Sequence, residues 1–247
     1  MRRALGSALL TGVVLLTPGA TRAAGSGASP GGFEVAFRSG LMVPLGDAAG
    51  GNAVDEGDWT LKLSEAFGLQ FPLWLDVGYR IDRVFVGAYG QYAFGLGPAG
   101  GLCGGGSYSC SSTAVRVGFE LQFHLFDRPA DQSRVDPWFG VGFGYEWATS
   151  RESRSVSPEP FYPLNVSSTY QGWDFLRLGV GLDFGLGSTL ALGPFLECSL
   201  GQFQQHDQTL EYAGLNNTSY TDTYSGSIQR KTLHFWFAIG LKLTWRP

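Results

Sequence analysis

The sequence predicts an all-β fold, an eight-stranded antiparallel up-and-down transmembrane β-barrel. Three observations predict it. Eight segments alternate large apolar residues with a period of two; their other face is mostly Gly and Ala with a few balanced charges; and the connections between them alternate short and long. A period of two is a strand signature because successive side chains leave opposite faces of the pleat.

Residues 1–23 read as a secretory signal peptide. Arg2 and Arg3 form a basic start, Leu5 through Leu16 an apolar stretch, and Thr21-Arg22-Ala23 a cleavage site before Ala24. A retained membrane helix fits less well, because the stretch is short and broken by Gly6, Gly12 and Pro18. No cysteine follows the cleavage region, so no lipoprotein anchor is expected. Residues 24–31 form a short linker, and 32–247 the barrel. No later apolar run reaches the ~18 residues of a spanning helix. Formal net charge is −4, and lysine occurs only at 62, 231 and 242. Without a basic cluster, nucleic-acid binding is not expected.

The strands follow in order. The first sets Phe33, Val35, Phe37, Leu41 and Val43 opposite Glu34, Ala36, Arg38 and Gly40. The second sets Leu69, Phe71, Leu73, Leu75, Val77, Tyr79 and Ile81 opposite Gln70, Trp74, Asp76, Gly78 and Arg80. The third places Val84, Val86, Ala88, Tyr92 and Phe94 against Gly87, Tyr89 and Gln91. The fourth is the cleanest: Val115, Val117, Phe119, Leu121, Phe123 and Leu125 alternate with Arg116, Gly118, Glu120, Gln122 and His124.

In the fifth, Phe139, Val141, Phe143, Tyr145 and Trp147 alternate with Gly140, Gly142, Gly144 and Glu146. The sixth has Leu176, Leu178, Val180, Leu182 and Phe184 opposite Arg177, Gly179, Gly181 and Asp183. The seventh has Leu190, Leu192, Leu196, Cys198 and Leu200 opposite Ala191, Gly193, Phe195, Glu197, Ser199 and Gly201. The eighth runs Leu233, Phe235, Phe237, Ile239, Leu241, Leu243 and Trp245, with His234, Trp236, Ala238, Gly240, Lys242 and Thr244 between. Each is near the ~9–11 residues that a tilted strand needs to cross a bilayer.

Connections at 81–83, 127–136 and 185–188 are comparatively short. Those at 45–67, 95–112, 149–171 and 202–229 are long, mostly polar and rich in Gly, Ser, Thr and Asn. That asymmetry, with both chain ends on the short-turn side, is the pattern of a membrane barrel with outward-facing loops.

The polar face decides which way the apolar face points. A water-facing set would be crowded with Lys, Glu, Thr and Ser. Here five cations (Arg38, Arg80, Arg116, Arg177, Lys242) nearly balance six carboxylates (Glu34, Asp76, Glu120, Glu146, Asp183, Glu197) among small residues. Such a set suits pairing in a confined lumen, since an isolated buried ion costs several kcal/mol. The apolar face then meets lipid. Aromatics at strand ends suit interfacial girdles: Tyr92, Phe94 and Trp147 toward the loops, and Phe126, Trp138, Phe184 and Trp245 toward the turns.

Gly240, Leu243 and Trp245, within Gly240-Leu241-Lys242-Leu243-Thr244-Trp245, resemble the C-terminal signal by which outer-membrane barrels are recognised for insertion. Arg246 and Pro247 follow the aromatic, where many members stop at it. With "PLWLDVGYRI…VFVGAYGQYAFG", "PWFGVGFGYEW" and "GPFLECSLGQF", the chain resembles the outer membrane β-barrel domain family, small barrels of the OmpA, OmpX and OmpW type. The resemblance spans nearly the whole mature chain. It implies location in a Gram-negative outer membrane, with outer-membrane lipids and the barrel-insertion machinery as partners. Unlike OmpA, nothing follows the last strand, so no peptidoglycan-binding domain is implied.

Cys103 and Cys110 flank "GGGSYS" in a long loop, and in an exported protein they are expected to form a disulfide worth ~2–3 kcal/mol. A metal site there would need a neighbouring His or further Cys. Cys198 reads as a lone lipid-facing thiol. His206-Asp207, with serines further along, offers triad ingredients by composition only, and His124 and His234 read as lumen packing residues. No catalytic residue, metal or cofactor is assigned, and an enzyme is not expected.

Eight strands enclose a lumen just wide enough for side chains to fill. Trp74, Tyr89, Phe195 and Trp236 point inward toward glycine-lined strands, so a plugged lumen is expected; the alternative is a narrow conduit for small or hydrophobic solutes. The expected role is structural or a surface interaction, with an extracellular ligand met through the long loops. Leu210, Tyr212, Leu215, Tyr220, Tyr224 and Ile228 are the expected anchors.

Overall fold

The computed structural model describes residues 31–50, 60–95, 108–126, 135–154, 163–213 and 219–247. The signal peptide and all of the linker but Gly31 lie outside the described residues.

Ten strands and one helical turn follow in chain order: β1 (Gly32–Gly50), β2 (Thr60–Lys62), α1 (Leu63–Phe67), β3 (Gln70–Ile81), β4 (Val84–Gly95), β5 (Tyr108–His124), β6 (Val135–Arg154), β7 (Pro163–Gly185), β8 (Leu190–Ala213), β9 (Ser219–Ser227) and β10 (His234–Trp245). Eight of them close into an antiparallel ring, in the order β1, β3, β4, β5, β6, β7, β8, β10 and back to β1. The closing seam runs without a slip from Val35 opposite Trp245 to Gly46 opposite His234. Closure leaves the barrel wall with no open edge. Two pieces stand outside the ring: β2 pairs with the end of β1, and β9 with the end of β8.

The turns fix the register. Ile81 faces Val84 across a two-residue link. There Asp82 takes φ 50°, which its short polar side chain tolerates. The β7–β8 turn places Gly187 at φ 132°, a region open to glycine.

Facing follows the alternation. Leu121 is 48% exposed between buried Glu120 and Gln122, and Phe237 is 41% exposed between buried Trp236 and Ala238. The same contrast runs around the wall through Phe37, Leu75, Val86, Phe139, Leu178 and Ile239. A continuous apolar exterior around a charged interior inverts a water-soluble barrel and matches a membrane-spanning one.

The glycines of the inner face make room for inward aromatics. A Cβ at Gly181 would lie 2.6 Å from the Trp138 ring, and one at Gly87 would lie 2.5 Å from the Phe85 ring. Tyr89 lies equally close over Gly118 and Gly144. Trp138 therefore differs from its expected place at the membrane interface. It is 4% exposed and donates its indole N–H to Asp183 Oδ1 at 3.1 Å. Phe126, Phe184 and Trp245 do face outward at the turn end, and Tyr92 and Phe94 at the loop end.

The expected long loops also differ. β5 to β8 continue as a paired sheet well past the apolar band, and β9 adds a further strand to it. The apolar alternation stops there because both faces of this extension meet water, while Ser, Thr and Tyr keep the backbone extended.

Candidate functional site

The lumen is the first site. Glu34, Arg38, Asp76, Arg80, Arg116, Glu120, Glu146, Arg177, Asp183, Glu197 and Lys242 are all buried on the inner face. Arg38 on β1 is the hub. It donates to Asp76 on β3 at 2.6 Å, to Glu120 on β5 at 2.9 Å and to Glu197 on β8 at 3.0 Å. Arg177 shares Glu197 from the β7 side at 2.7 Å. Below the hub, Glu120 accepts from Gln122, whose carbonyl accepts from Lys242 at 2.9 Å. Above it, Arg116 joins Glu146 at 3.2 Å and Ser199 at 3.2 Å. Each of these eleven charges has an oppositely charged partner, some on the neighbouring strand and some farther around the ring, as the cost of burying ions requires.

Aromatic faces complete the cation sites. Arg177 sits 3.9 Å from the Tyr89 centroid, Lys242 4.3 Å from Trp138 and Arg116 4.7 Å from Trp236. These contacts replace hydration on the side of each cation that carries no carboxylate.

Among the described residues, three lumenal charges lie beyond the expected set. Asp136 accepts from Arg80 at 2.9 Å and contacts His124 Nδ1 at 2.9 Å. Arg246 donates to Glu34 at 3.0 Å and to Asp183 at 2.8 Å. Carrying the alternation one step outward from Trp138 and from Thr244 would have found both. Asp174 carried no such signal. A bulge at Phe175 and Leu176 turns both of those side chains outward, which shifts the parity and sends Asp174 inward toward the Tyr89 hydroxyl, 3.4 Å away. His124 and His234 are lumenal, the latter bonded to Glu146.

The mouth is lined differently. α1 tucks Leu63 and Phe67 inward, and Gly68 ends the turn at φ 56°. Gln70 Nε2 and Ser112 Oγ both donate to the Phe67 carbonyl, at 2.5 and 2.9 Å. The Phe67 ring meets Tyr170 at 5.9 Å, Trp236 at 6.0 Å and Phe203 at 6.4 Å between centroids. Ile228 is buried within this apolar layer, so it packs the core and is not the surface anchor expected of it.

The loop-end sheet is the second site. His206 and Asp207 sit side by side on β8 but leave opposite faces. His206 stacks on Tyr170 at 4.4 Å, whereas Asp207 accepts from Gln171 at 2.8 Å and from Ser225 at 2.5 Å. Ser225 therefore shares a face with Asp207 and not with His206, an arrangement without a nucleophile–base contact. Burial holds the His206 pKa below its usual value, with Asp207 pulling the other way. Tyr220 and Tyr224 are exposed, and Tyr212 stacks on Tyr220 at 4.8 Å. Leu210 is partly buried; Leu215 lies outside the described residues.

Cys110, on the β5 extension, is disulfide-bonded, while Cys103 lies outside the described residues. Cys198 is a free thiol between Leu178 and Phe237. Of the insertion-signal residues, Leu243 and Trp245 face outward. Gly240 faces Gly40 across the closing seam, where a Cβ on Gly40 would come within 2.6 Å of the Gly240 Cα.

No family model and no curated protein matches the chain. Solved structures do. A major outer membrane protein from Thermus thermophilus is 15% identical, with a TM-score of 0.50 over 89% of this chain and 100% of its own. Neisserial surface protein A is 13% identical, with a TM-score of 0.44 over 88% and 98%. Outer membrane protein OprG from Pseudomonas aeruginosa is 12% identical, with a TM-score of 0.45 over 87% and 97%. At such identities the first similarity speaks to fold alone, and it agrees with the closed ring and inverted polarity: this chain has the fold of the small outer-membrane β-barrels, eight antiparallel strands around a charged lumen.

Proposed function

We propose that this is an integral outer-membrane protein exported by residues 1–23, in which a plugged barrel anchors and displays a surface sheet. The observation that carries the plugged reading is Arg38. One guanidinium reaches carboxylates on three other strands around the ring, so the middle of the lumen is spanned by side chains. Phe67 and its aromatic neighbours support it at the mouth. In this reading the partners are outer-membrane lipid around the wall, the insertion machinery that reads Gly240, Leu243 and Trp245, and an extracellular ligand met by the β8–β9 sheet.

Planar-bilayer recording of refolded protein tests it. The expected trace is free of conductance steps. Reproducible single-channel steps would overturn the plugged reading in favour of a narrow conduit.

A further inference from the structure

We propose that the free edge of β9 is a strand-addition site for an extended, basic polypeptide segment, with a Lys or Arg seated opposite Asp222. The proposal rests on the reading that the loop-end sheet is displayed at the surface, and it names the class of partner and the mode of contact.

Among the described residues, β9 pairs with β8 on one side only, and its other side carries unpaired backbone donors and acceptors. Tyr220 through Ser227 are all exposed. Natural edge strands are usually blunted by Lys, Pro, bulges or short length. β9 has nine residues, no Lys, no Pro, and an unbroken register from Gln205–Ser227 to Ala213–Ser219. Such an edge accepts a further strand through main-chain hydrogen bonds, while alternate side chains supply selectivity.

Charge chooses the occupant. β8 and β9 together contain no Lys or Arg, whereas Asp207, Glu211 and Asp222 lie on their paired extension. Asp207 and Glu211 are engaged by Gln171, Ser225 and Asn165. Asp222 is the sole charge of β9, and it shares a face with Tyr220 and Tyr224, two positions away on either side. On an added strand, the side chain directly opposite Asp222 falls within ion-pair reach, and both tyrosines lie at the diagonal spacing that long side chains span. A cation there gains the carboxylate and two aromatic rings. Thr221, Thr223 and Ser225 on the other face favour small or β-branched residues in the incoming strand.

The first arm of the test alters the probe and the second alters Asp222. A fluorescent nonapeptide, Thr-Lys-Val-Lys-Thr-Lys-Val-Lys-Thr, is titrated against the refolded barrel in detergent. Two isomers are compared with it, N-methylated on one or the other alternating set of amides. Strand addition uses only one set, so one isomer should lose roughly ten-fold or more in affinity while the other binds like the parent. Asp222→Asn should weaken the parent peptide several-fold, most strongly at low salt. Equal binding by all three peptides would mean charge attraction alone and would overturn the proposal, as would no binding by the parent. The surface reading is checked apart from this, by antibody access on intact cells to an epitope inserted between residues 213 and 219. An inaccessible epitope would sink surface display even if peptide binding in detergent stood.

Discussion

Arg246, one residue past the last barrel strand, donates to Glu34 on the first strand at 3.0 Å. It also donates to Asp183 on β7, with Asp136 on β6 4.0 Å away, so Arg246 lies under the lumen and ties β10 to β1 and β7. Arg246 thus makes a closure contact inside the barrel base.

Arg246→Ala should lower barrel stability by about 3 kcal/mol, because it leaves Glu34 without its cation and Asp183 with Lys242 alone, 3.7 Å away. Urea unfolding in lipid vesicles reads this directly. A chain ended at Trp245 should still insert, with stability lowered by the loss of Arg246.

Leu121→Arg and Phe237→Arg place a cation on the lipid-facing wall near mid-strand. Each should destabilise by ~2–4 kcal/mol in lipid. Unfolding curves like the parent's for both variants would contradict the assigned facing.

Gly181 lies under the Trp138 ring, with no space for a methyl group. Gly181→Ala should cost about 1–3 kcal/mol by overpacking. Adding Trp138→Leu should recover part of that loss, giving a non-additive pair in a double-mutant cycle.

The β8 extension should respond to acid through His206. Its folded pKa is lowered, so the unfolded chain takes up the proton first. The stabilising contribution is complete above the unfolded value of about 6.5 and is lost as pH falls through the folded pKa. Hydrogen exchange in the β8–β9 extension should quicken on acidification, and His206→Gln should remove that dependence.

What was legible in the sequence was whatever obeyed the period of two inside the membrane band. Lipid on one side and a charged lumen on the other force every residue to declare a face, so the eight ring strands and the inward charges from Glu34 to Lys242 could be read directly. The period failed where one extra residue was inserted: the bulge at Phe175 and Leu176 resets the parity and conceals Asp174. It also failed above the band, where water on both faces removes the apolar marker and the long strands of the loop-end sheet look like polar loops. Trp138 departs from the interfacial girdle because it shares the inward parity of Gly140, two residues on, despite being an aromatic at a strand end. α1 is five residues long, too short for helical periodicity to register.

The central claim is that the apolar exterior touches hydrocarbon while the charges are enclosed. Light scattering on purified residues 24–247, refolded and then moved into detergent-free buffer, tests it most directly. Aggregation is expected there, with a uniform folded species only in detergent or lipid. A uniform folded monomer in detergent-free buffer would contradict the claim.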